Sequence, residues 1–383
     1  MKLLQQFTDH VKKTDLFHAK DRLLVAVSGG IDSVVLCHLC KEAGYTFTIA
    51  HCNFCLRGAE SERDQEFVQE LAKSLNVPFL VKQFGTSTYA AEHKVSIQVA
   101  ARELRYSWFY QILDHSQTKP ESPPNVHESL HYILTAHHLD DNIETVLMNF
   151  LKGTGISGLR GIEPKQNRLV RPLLFAAKED ITRYAHENNF EWVNDSSNDK
   201  TDYTRNLFRH KIIPQIAGIY PAVKQNLAHN IERFTDAEIL YNSAIARHKK
   251  DLLEHRGEEI FIPVLKLGKS VPLHTIIFET VKDFGFSAHQ VAEVVKLLSS
   301  ESGKFIQSNT HRILRNRAWL IISPLKEAEQ QIILIEENDI EKVFDGRVLI
   351  IEHVQKDEIP ITIERSEASL DSKNITFPLM LRR

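Results

Sequence analysis

Short apolar runs alternate with helical periodicity over roughly the first 215 residues, the pattern of a parallel sheet covered by helices. Leu3, Leu4, Phe7 and Val11 fall at helical spacing and predict an opening amphipathic helix. An apolar run at 22–27 predicts a buried first strand, followed by Ser28-Gly29-Gly30-Ile31-Asp32-Ser33 and then a helix. Further strands are predicted at 45–51, 79–81 and 131–136, and helices at 67–75, 97–113 and 140–151. Three prolines in 117–125 predict a surface insertion. After Pro221, the residues Val223, Leu227, Ile231, Phe234 and Tyr241 share one stripe of a helix reaching about residue 250. That helix leads into an expected helical domain over about 225–300. From about residue 304 β-branched strands take over, at 318–322, 331–335, 347–351 and 361–363. The expected organisation is an α/β parallel-sheet domain at 1–215, a helical domain at 216–305 and a β-rich segment at 306–383.

Composition narrows the class. A chain of 383 residues exceeds one ordinary domain of ~100–200 residues. At 42% hydrophobic and 25% charged it buries a core and is not disordered. No stretch approaches the ~18 uncharged apolar residues of a membrane span, and the first ten residues turn polar too soon for a signal peptide. A cytoplasmic protein with no membrane partner is expected. The net charge of −3 hides a segregation. Residues 145–185 hold seven Lys/Arg against three Asp/Glu, and 201–225 hold four against one. Residues 321–383 hold eight against thirteen. A basic rim and an acidic C-terminal segment leave room for a nucleic acid bound through local, shaped contacts.

The loop Ser28–Ser33 joins a buried strand to a helix. Two glycines permit a tight turn that aims main-chain N–H groups and a helix N-terminus at an anion, with Ser28 and Ser33 adding hydroxyl donors. It is no Walker A loop, because no Gly-Lys-Ser/Thr follows. An ordinary capped turn explains it less well. The hexapeptide resembles the pyrophosphate loop of the N-type ATP pyrophosphatases, the PP-loop superfamily. That resemblance implies a Rossmann-like PP-loop ATPase domain, ATP and Mg²⁺ as cofactors, and adenylation of a substrate oxygen. It places Ser28, Gly29, Gly30, Ile31, Asp32 and Ser33 on ATP, with Asp32 at the magnesium or phosphates; no other metal site is expected.

Past the predicted fourth strand, where open α/β sheets place ligands, stands Ala136-His137-His138-Leu139-Asp140-Asp141-Asn142-Ile143-Glu144-Thr145. Helical spacing puts His137, Asp141 and Glu144 on one face. Taken alone, an acid-rich first helical turn explains them equally well. The motifs that follow are 147–161, glycine-rich and basic, Arg171-Pro172-Leu173-Leu174, Asp195-Ser196-Ser197-Asn198, and 203–210 with Pro214. With His51-Cys52-Asn53-Phe54-Cys55-Leu56-Arg57-Gly58 and Ala101-Arg102-Glu103-Leu104-Arg105-Tyr106, this ordered set resembles the tRNA(Ile)-lysidine synthetase family over residues 20–215, and more weakly beyond.

The resemblance implies that ATP adenylates the carbonyl oxygen at carbon 2 of the wobble cytidine in an isoleucine tRNA with a CAU anticodon. The ε-amine of free L-lysine then attacks that carbon and expels AMP. Asp32, His137 and Asp141 are the catalytic candidates, with His51 beside ATP. Asp141 and Glu144 suit lysine's ammonium groups, and Arg105 (or Arg102) its α-carboxylate. His137 is a candidate proton acceptor for an amine whose pKa is ~10.4 when free. Arg57, Lys152, Arg160, Arg205 and Arg209 are expected on tRNA or phosphate. A homodimer is one assembly the reading allows. Longer members of the family complete a small β-rich domain, so the C-terminal segment is expected to be truncated.

A rival reading rests on the cysteines. Cys37/Cys40 and Cys52/Cys55 form two C-x-x-C pairs, a spacing found in zinc and iron–sulfur sites, and some tRNA thiolases share the loop. Against it, Cys37 and Cys40 fall where small apolar residues pack a helix on the sheet.

Overall fold

The computed structural model describes residues 2–118, 129–193, 204–325, 333–344, 347–352 and 375–381. The chain forms two compact units, Met1–Tyr241 and Asn242–Arg383. Among the described residues no helix is long and apolar enough to cross a membrane.

The first unit opens with α1 (Lys2–Lys13), β1 (Arg22–Ala26), α2 (Ile31–Glu42), β2 (Thr46–Asn53), α3 (Ala59–Leu75) and β3 (Phe79–Gln83). Next come α4 (Thr86–His93), α5 (Ile97–Thr118), β4 (Tyr132–Leu134), α6 (Leu139–Lys152) and the single turn α7 (Ile156–Leu159). It continues through β5 (Lys165–Gln166), β6 (Leu169–Val170), α8 (Lys178–Glu187) and α9 (Thr204–Leu207). A π-helical turn at Phe208–Ile212 then leads into α10 (Ile213–Ile219) and α11 (Val223–Leu252), whose residues from Asn242 onward belong to the second unit.

The strand order is β3-β2-β1-β4-β6-β5, parallel except for the β5–β6 edge. Both faces are covered, which is why β1 reads as an unbroken apolar run. Its residues alternate between the layers. Leu23 and Val25 pack with Phe7 of α1, Leu36 of α2 and Ile181 of α8, whereas Leu24 meets Phe109 and Leu113 of α5. The parallel sheet expected from the periodicity is therefore present. The short helix α4, the strand pair β5–β6 and α8 carry no expectation. A two-residue strand is too short to show a period, and α4 has no apolar stripe beyond Thr86 and Ala90.

The second unit holds β7 (Glu254–Arg256), β8 (Glu259–Pro263), α12 (Val264–Gly268), α13 (Leu273–Val281) and α14 (Val291–Leu297). These precede β9 (Phe305–Gln307), β10 (His311–Asn316) and β11 (Trp319–Pro324). The five strands form an antiparallel sheet in the order β7-β8-β11-β10-β9. The span 216–305, expected to be helical, thus supplies two strands and the first residue of a third. Ile260 and Ile262 are buried while Glu259 is exposed, a two-residue alternation too short to stand out among helices. A boundary at 305 cuts the β9–β10 ladder, in which Phe305 pairs with Leu314. Beyond it, β12 (Ile333–Ile335) pairs with β15 (Leu379–Leu381), and β13 (Glu341–Phe344) with β14 (Arg347–Ile350). The expected strand at 361–363, the insertion from residue 119 onward and the Asp195–Asn198 motif lie outside the described residues.

Candidate active site

Successive strands step outward from β1 in both directions, to β2 and β3 on one side and to β4 and β6 on the other. The crevice at such a reversal is where open α/β sheets bind ligands. A cavity of about 520 Å³ opens there, within the range of small-ligand sites. The loop contributes Ser28, Gly30, Asp32 and Ser33 to its lining, and β2 contributes His51. His137, Asp141 and Arg205 line the same space, as do Arg57 and Arg105.

The loop is shaped by its own backbone. Gly29 has φ +95°, a conformation that side chains disfavour, and Gly30 is extended at the N-cap of α2. The Ser33 hydroxyl donates to the Gly30 carbonyl at 2.8 Å, and the Gly30 N–H donates to Ser28 Oγ at 3.3 Å. The Val193 N–H, donating to the Gly29 carbonyl at 3.0 Å, ties the turn down from outside. The first turn of α2 therefore begins on the cavity wall with its positive dipole end at the loop.

Asp32 is the loop's one carboxylate. Among the described residues, no group of three or more His, Cys, Asp or Glu is placed to hold a metal. That donor set fits magnesium held mainly by phosphate oxygens with one protein carboxylate, and does not fit a cation caged by protein alone. Asp32 Oδ1 lies 2.5 Å from Lys178 Nζ, and its Oδ2 lies 3.9 Å from His138 Nε2.

His51 sits at the end of β2 and is 4% exposed. Its Nδ1 meets the Val27 carbonyl at 2.9 Å, so Nδ1 carries the proton. Burial pushes its pKa down despite that bond and the nearby Asp64 charge. The ring is then neutral, with Nε2 as an acceptor. His137 is held by Thr135, with Nδ1 2.9 Å from Oγ1. Burial pushes its pKa down to about 4, opposed by Asp141 and reinforced by Arg171, Arg205 and Arg102. It is a neutral base at physiological pH.

The acidic turn opens α6. Asp141 stands at the third helical position and accepts the His138 backbone N–H at 3.1 Å, one arm of a capping box. Burial opposes ionisation of Asp141, yet His138, that backbone bond, His137 and Arg209 hold its carboxyl below the ordinary range. Glu144 is 1% exposed and does not reach the cavity lining. Arg209 grips it with both Nε, at 2.6 Å, and Nη2, at 3.0 Å, and extends Nη2 to Asp141 Oδ1 at 2.8 Å. Arg205 adds Nε 3.6 Å from Glu144 and a hydrogen bond to Thr145 Oγ1 at 2.8 Å.

The chain matches the family model of the PP-loop domain over residues 2–216, more than half its length, and that of the TilS substrate-binding domain over 255–325. It is 34% identical over 379 residues to the tRNA(Ile)-lysidine synthase of Parabacteroides distasonis, spanning 97% of this chain and 82% of that protein. It is 36% identical over 326 residues to the protein of that name from Bacteroides thetaiotaomicron, covering 85% of this chain and 73% of the relative. The Petrotoga mobilis protein of the same name is 35% identical over 290 residues, 70% of this chain and 88% of its own. The chain belongs to the tRNA(Ile)-lysidine synthase family. It is accordingly an ATP-using ligase of PP-loop type.

Within that family frame the basic residues sort unevenly. Arg57 is tied to Asp64 at 3.3 Å, and Arg160 to Glu163 and, at 3.0 Å, to Glu238. Lys152 is exposed at the end of α6. Arg205 and Arg209, expected on phosphate, turn toward Glu144 instead. A buried carboxylate outcompetes solvent for them because its own desolvation demands a partner. Arg105 lines the cavity with its guanidinium 5.3 Å from the Phe54 ring centre. Arg102 stacks on Tyr106 and is not in the lining.

Two groups outside the cavity lining, each against Asp32, carried no expected role. His138 is 3% exposed, packed among Asp32, Asp140 and Asp141, with its Nδ1 buried and without a hydrogen-bond partner. The N-cap position, three before Asp141, is the sequence signal that locates it. Lys178 has no such signal, because it meets Asp32 across 146 residues. Two of the four cysteines behave as core residues, whereas Cys52 is half-buried and Cys55 exposed. Cys37 and Cys40 are fully buried in α2, and burial pushes both thiols far up. Cys52 is pushed up to about 12 for the same reason. The curated relatives matched along most of the chain are named lysidine synthases, so the thiolase reading is not favoured.

Proposed function

We propose that this chain uses ATP to ligate free L-lysine to carbon 2 of the wobble cytidine in an isoleucine tRNA with a CAU anticodon, releasing AMP and pyrophosphate. The observation that carries the reading is one cavity joining the Ser28–Ser33 loop to His137 and Asp141. The reaction needs both in one place. Cytosine's C2 is a poor electrophile until its oxygen becomes a leaving group, and the lysine amine must then reach that same carbon.

The loop binds the pyrophosphate end of ATP, with Asp32 at the magnesium. When bound, magnesium supplies charge neutralisation for the departing pyrophosphate. The cytidine oxygen attacks the α-phosphorus, and pyrophosphate leaves. Asp141, ionised and facing the cavity, receives lysine's ε-ammonium and orients it. Lysine present as the free amine attacks C2. The nitrogen, made acidic by that new bond, passes its proton to neutral His137 as the C2–O bond breaks and AMP leaves. Arg105 takes the amino acid's carboxylate. Glu144 acts here through Arg209, and comes into direct contact with lysine only if that arginine swings away.

The test is incorporation of labelled lysine into an isoleucine CAU-tRNA transcript, with a methionine CAU-tRNA as control. Incorporation into the isoleucine transcript alone is expected. No incorporation by folded protein supplied with ATP removes the reading.

A further inference from the structure

We infer that Lys178 is a phosphate-binding cation of the ATP site, supplying from α8 the lysine that the Ser28–Ser33 loop lacks. The inference rests on the proposed ATP role of that loop. A Walker A loop carries its own lysine for the β- and γ-phosphates. Here the loop's one charged side chain is Asp32, whose sign repels a polyphosphate. A positive group must come from elsewhere in the fold.

Lys178 is built to be that group. Its backbone N–H, at the first residue of α8, donates to Asp140 Oδ2 at 2.8 Å. The other oxygen of Asp140 lies 2.7 Å from Lys224 Nζ, which also meets Glu179 at 2.7 Å. The Leu139 N–H binds the Ala176 carbonyl at 2.9 Å, fastening the start of α6 to the chain just before α8. The main chain at Lys178 is thus pinned to the turn that carries Asp141. The side chain stays 38% exposed and reaches 2.5 Å from a carboxylate that lines the cavity.

A purely structural role explains this placement poorly. A cation at a helix N-terminus opposes the macrodipole. A partly exposed lysine–aspartate pair contributes little to stability. Both features make sense if the ammonium has a second partner. Once Asp32 shares a magnesium ion with phosphate oxygens, its claim on Lys178 weakens, and the ammonium lies beside those same oxygens.

Calorimetric titration with magnesium pyrophosphate, magnesium ATP and AMP tests this without catalysis. Lys178→Ala is expected to weaken pyrophosphate and ATP at least tenfold and AMP less than twofold. Lys178→Arg is expected to restore most of the loss, with thermal melts checking that both variants fold. Unchanged pyrophosphate affinity in Lys178→Ala overturns the inference. So does an equal loss for AMP and pyrophosphate, which marks a scaffold residue. Wild-type protein that binds neither pyrophosphate nor ATP overturns the reading of the loop, and this inference with it.

Discussion

Two stretches meet across the cavity and are built on opposite principles. The Ser28–Ser33 loop is defined by backbone. A positive-φ glycine, an extended glycine and a helix start present the N–H groups, and the distant Val193 N–H fastens the turn at the Gly29 carbonyl. The start of α6 is defined by side chains whose partners come from afar, with Arg209 65 residues beyond Glu144 and Lys178 38 residues beyond Asp140. Backbone sites are local and carry fixed dipoles. Side-chain sites carry full charges and depend on tertiary pairing. On the proposed function, binding the polyphosphate draws on the first and holding lysine's ammonium on the second.

Breaking the side-chain half at its most buried point should have the largest effect. Arg209→Ala leaves Glu144 buried with only the longer Arg205 contact, and loss of one partner of a buried pair costs about 3–5 kcal/mol. Urea unfolding should show a loss near the lower end. The double variant Arg209→Ala/Glu144→Gln should recover a large part of it, because the uncompensated charge goes too. Equal stability in wild type and Arg209→Ala would mean that the acidic turn does not depend on its partner.

Asp141→Asn addresses the proposed substrate face. It removes the proposed charge-assisted contact to lysine, worth about 1.5–3 kcal/mol, so kcat/KM for lysine should fall roughly 10- to 150-fold. Pyrophosphate affinity, set by the loop, should stay within twofold. A parallel loss of both would merge the two halves into one unit and undo the comparison.

The same division explains how much was legible in the amino-acid sequence. The loop could be read because its determinants are adjacent: an apolar run, two glycines and flanking serines. The parallel sheet showed through the continuous apolar character of strands covered on both faces. His137, Asp141 and Glu144 were visible as an acidic helix start, but their states were not. Glu144 looked like a ligand for lysine and is instead closed over by Arg209. Arg205 and Arg209 were expected on tRNA or phosphate, and both contact Glu144 instead, Arg205 while lining the cavity. Helical spacing reports which residues share a face and does not report what that face meets. The strands β7 and β8 were hidden because three to five residues are too few for a two-residue period to declare itself.

Acid should protonate the half-buried His137 imidazole. Between pH 6.5 and about 4 an unfolded His137 binds a proton while the folded, neutral ring does not. Stability from this group is therefore complete above pH 6.5 and drains away as pH falls toward 4. His137→Asn removes that dependence. Its urea-unfolding free energy should fall less than that of wild type between pH 7 and 4.5, by about 2 kcal/mol. Identical acid sensitivity in the two proteins would show that His137 is not held neutral.

The smallest change probes the backbone half. Gly29→Ala adds one methyl group at φ +95°, and its nearest neighbours, side-chain atoms of Val68, Phe67 and Val193, lie 3.5–3.7 Å from an added Cβ. Space is therefore adequate, and the cost is conformational, about 1–2 kcal/mol for a side chain forced into the left-handed region. If the loop keeps its shape, that cost appears as lost stability and leaves pyrophosphate affinity untouched. If the loop relaxes, the N–H groups turn away and pyrophosphate affinity falls about tenfold, in line with the same energy. The second outcome is expected, because among the described residues the Gly29 carbonyl is fastened from outside by one hydrogen bond, from the Val193 N–H. Lysine KM measured at saturating ATP should not move in this variant. A rise there would mean that the backbone of the loop also shapes the acidic turn across the cavity.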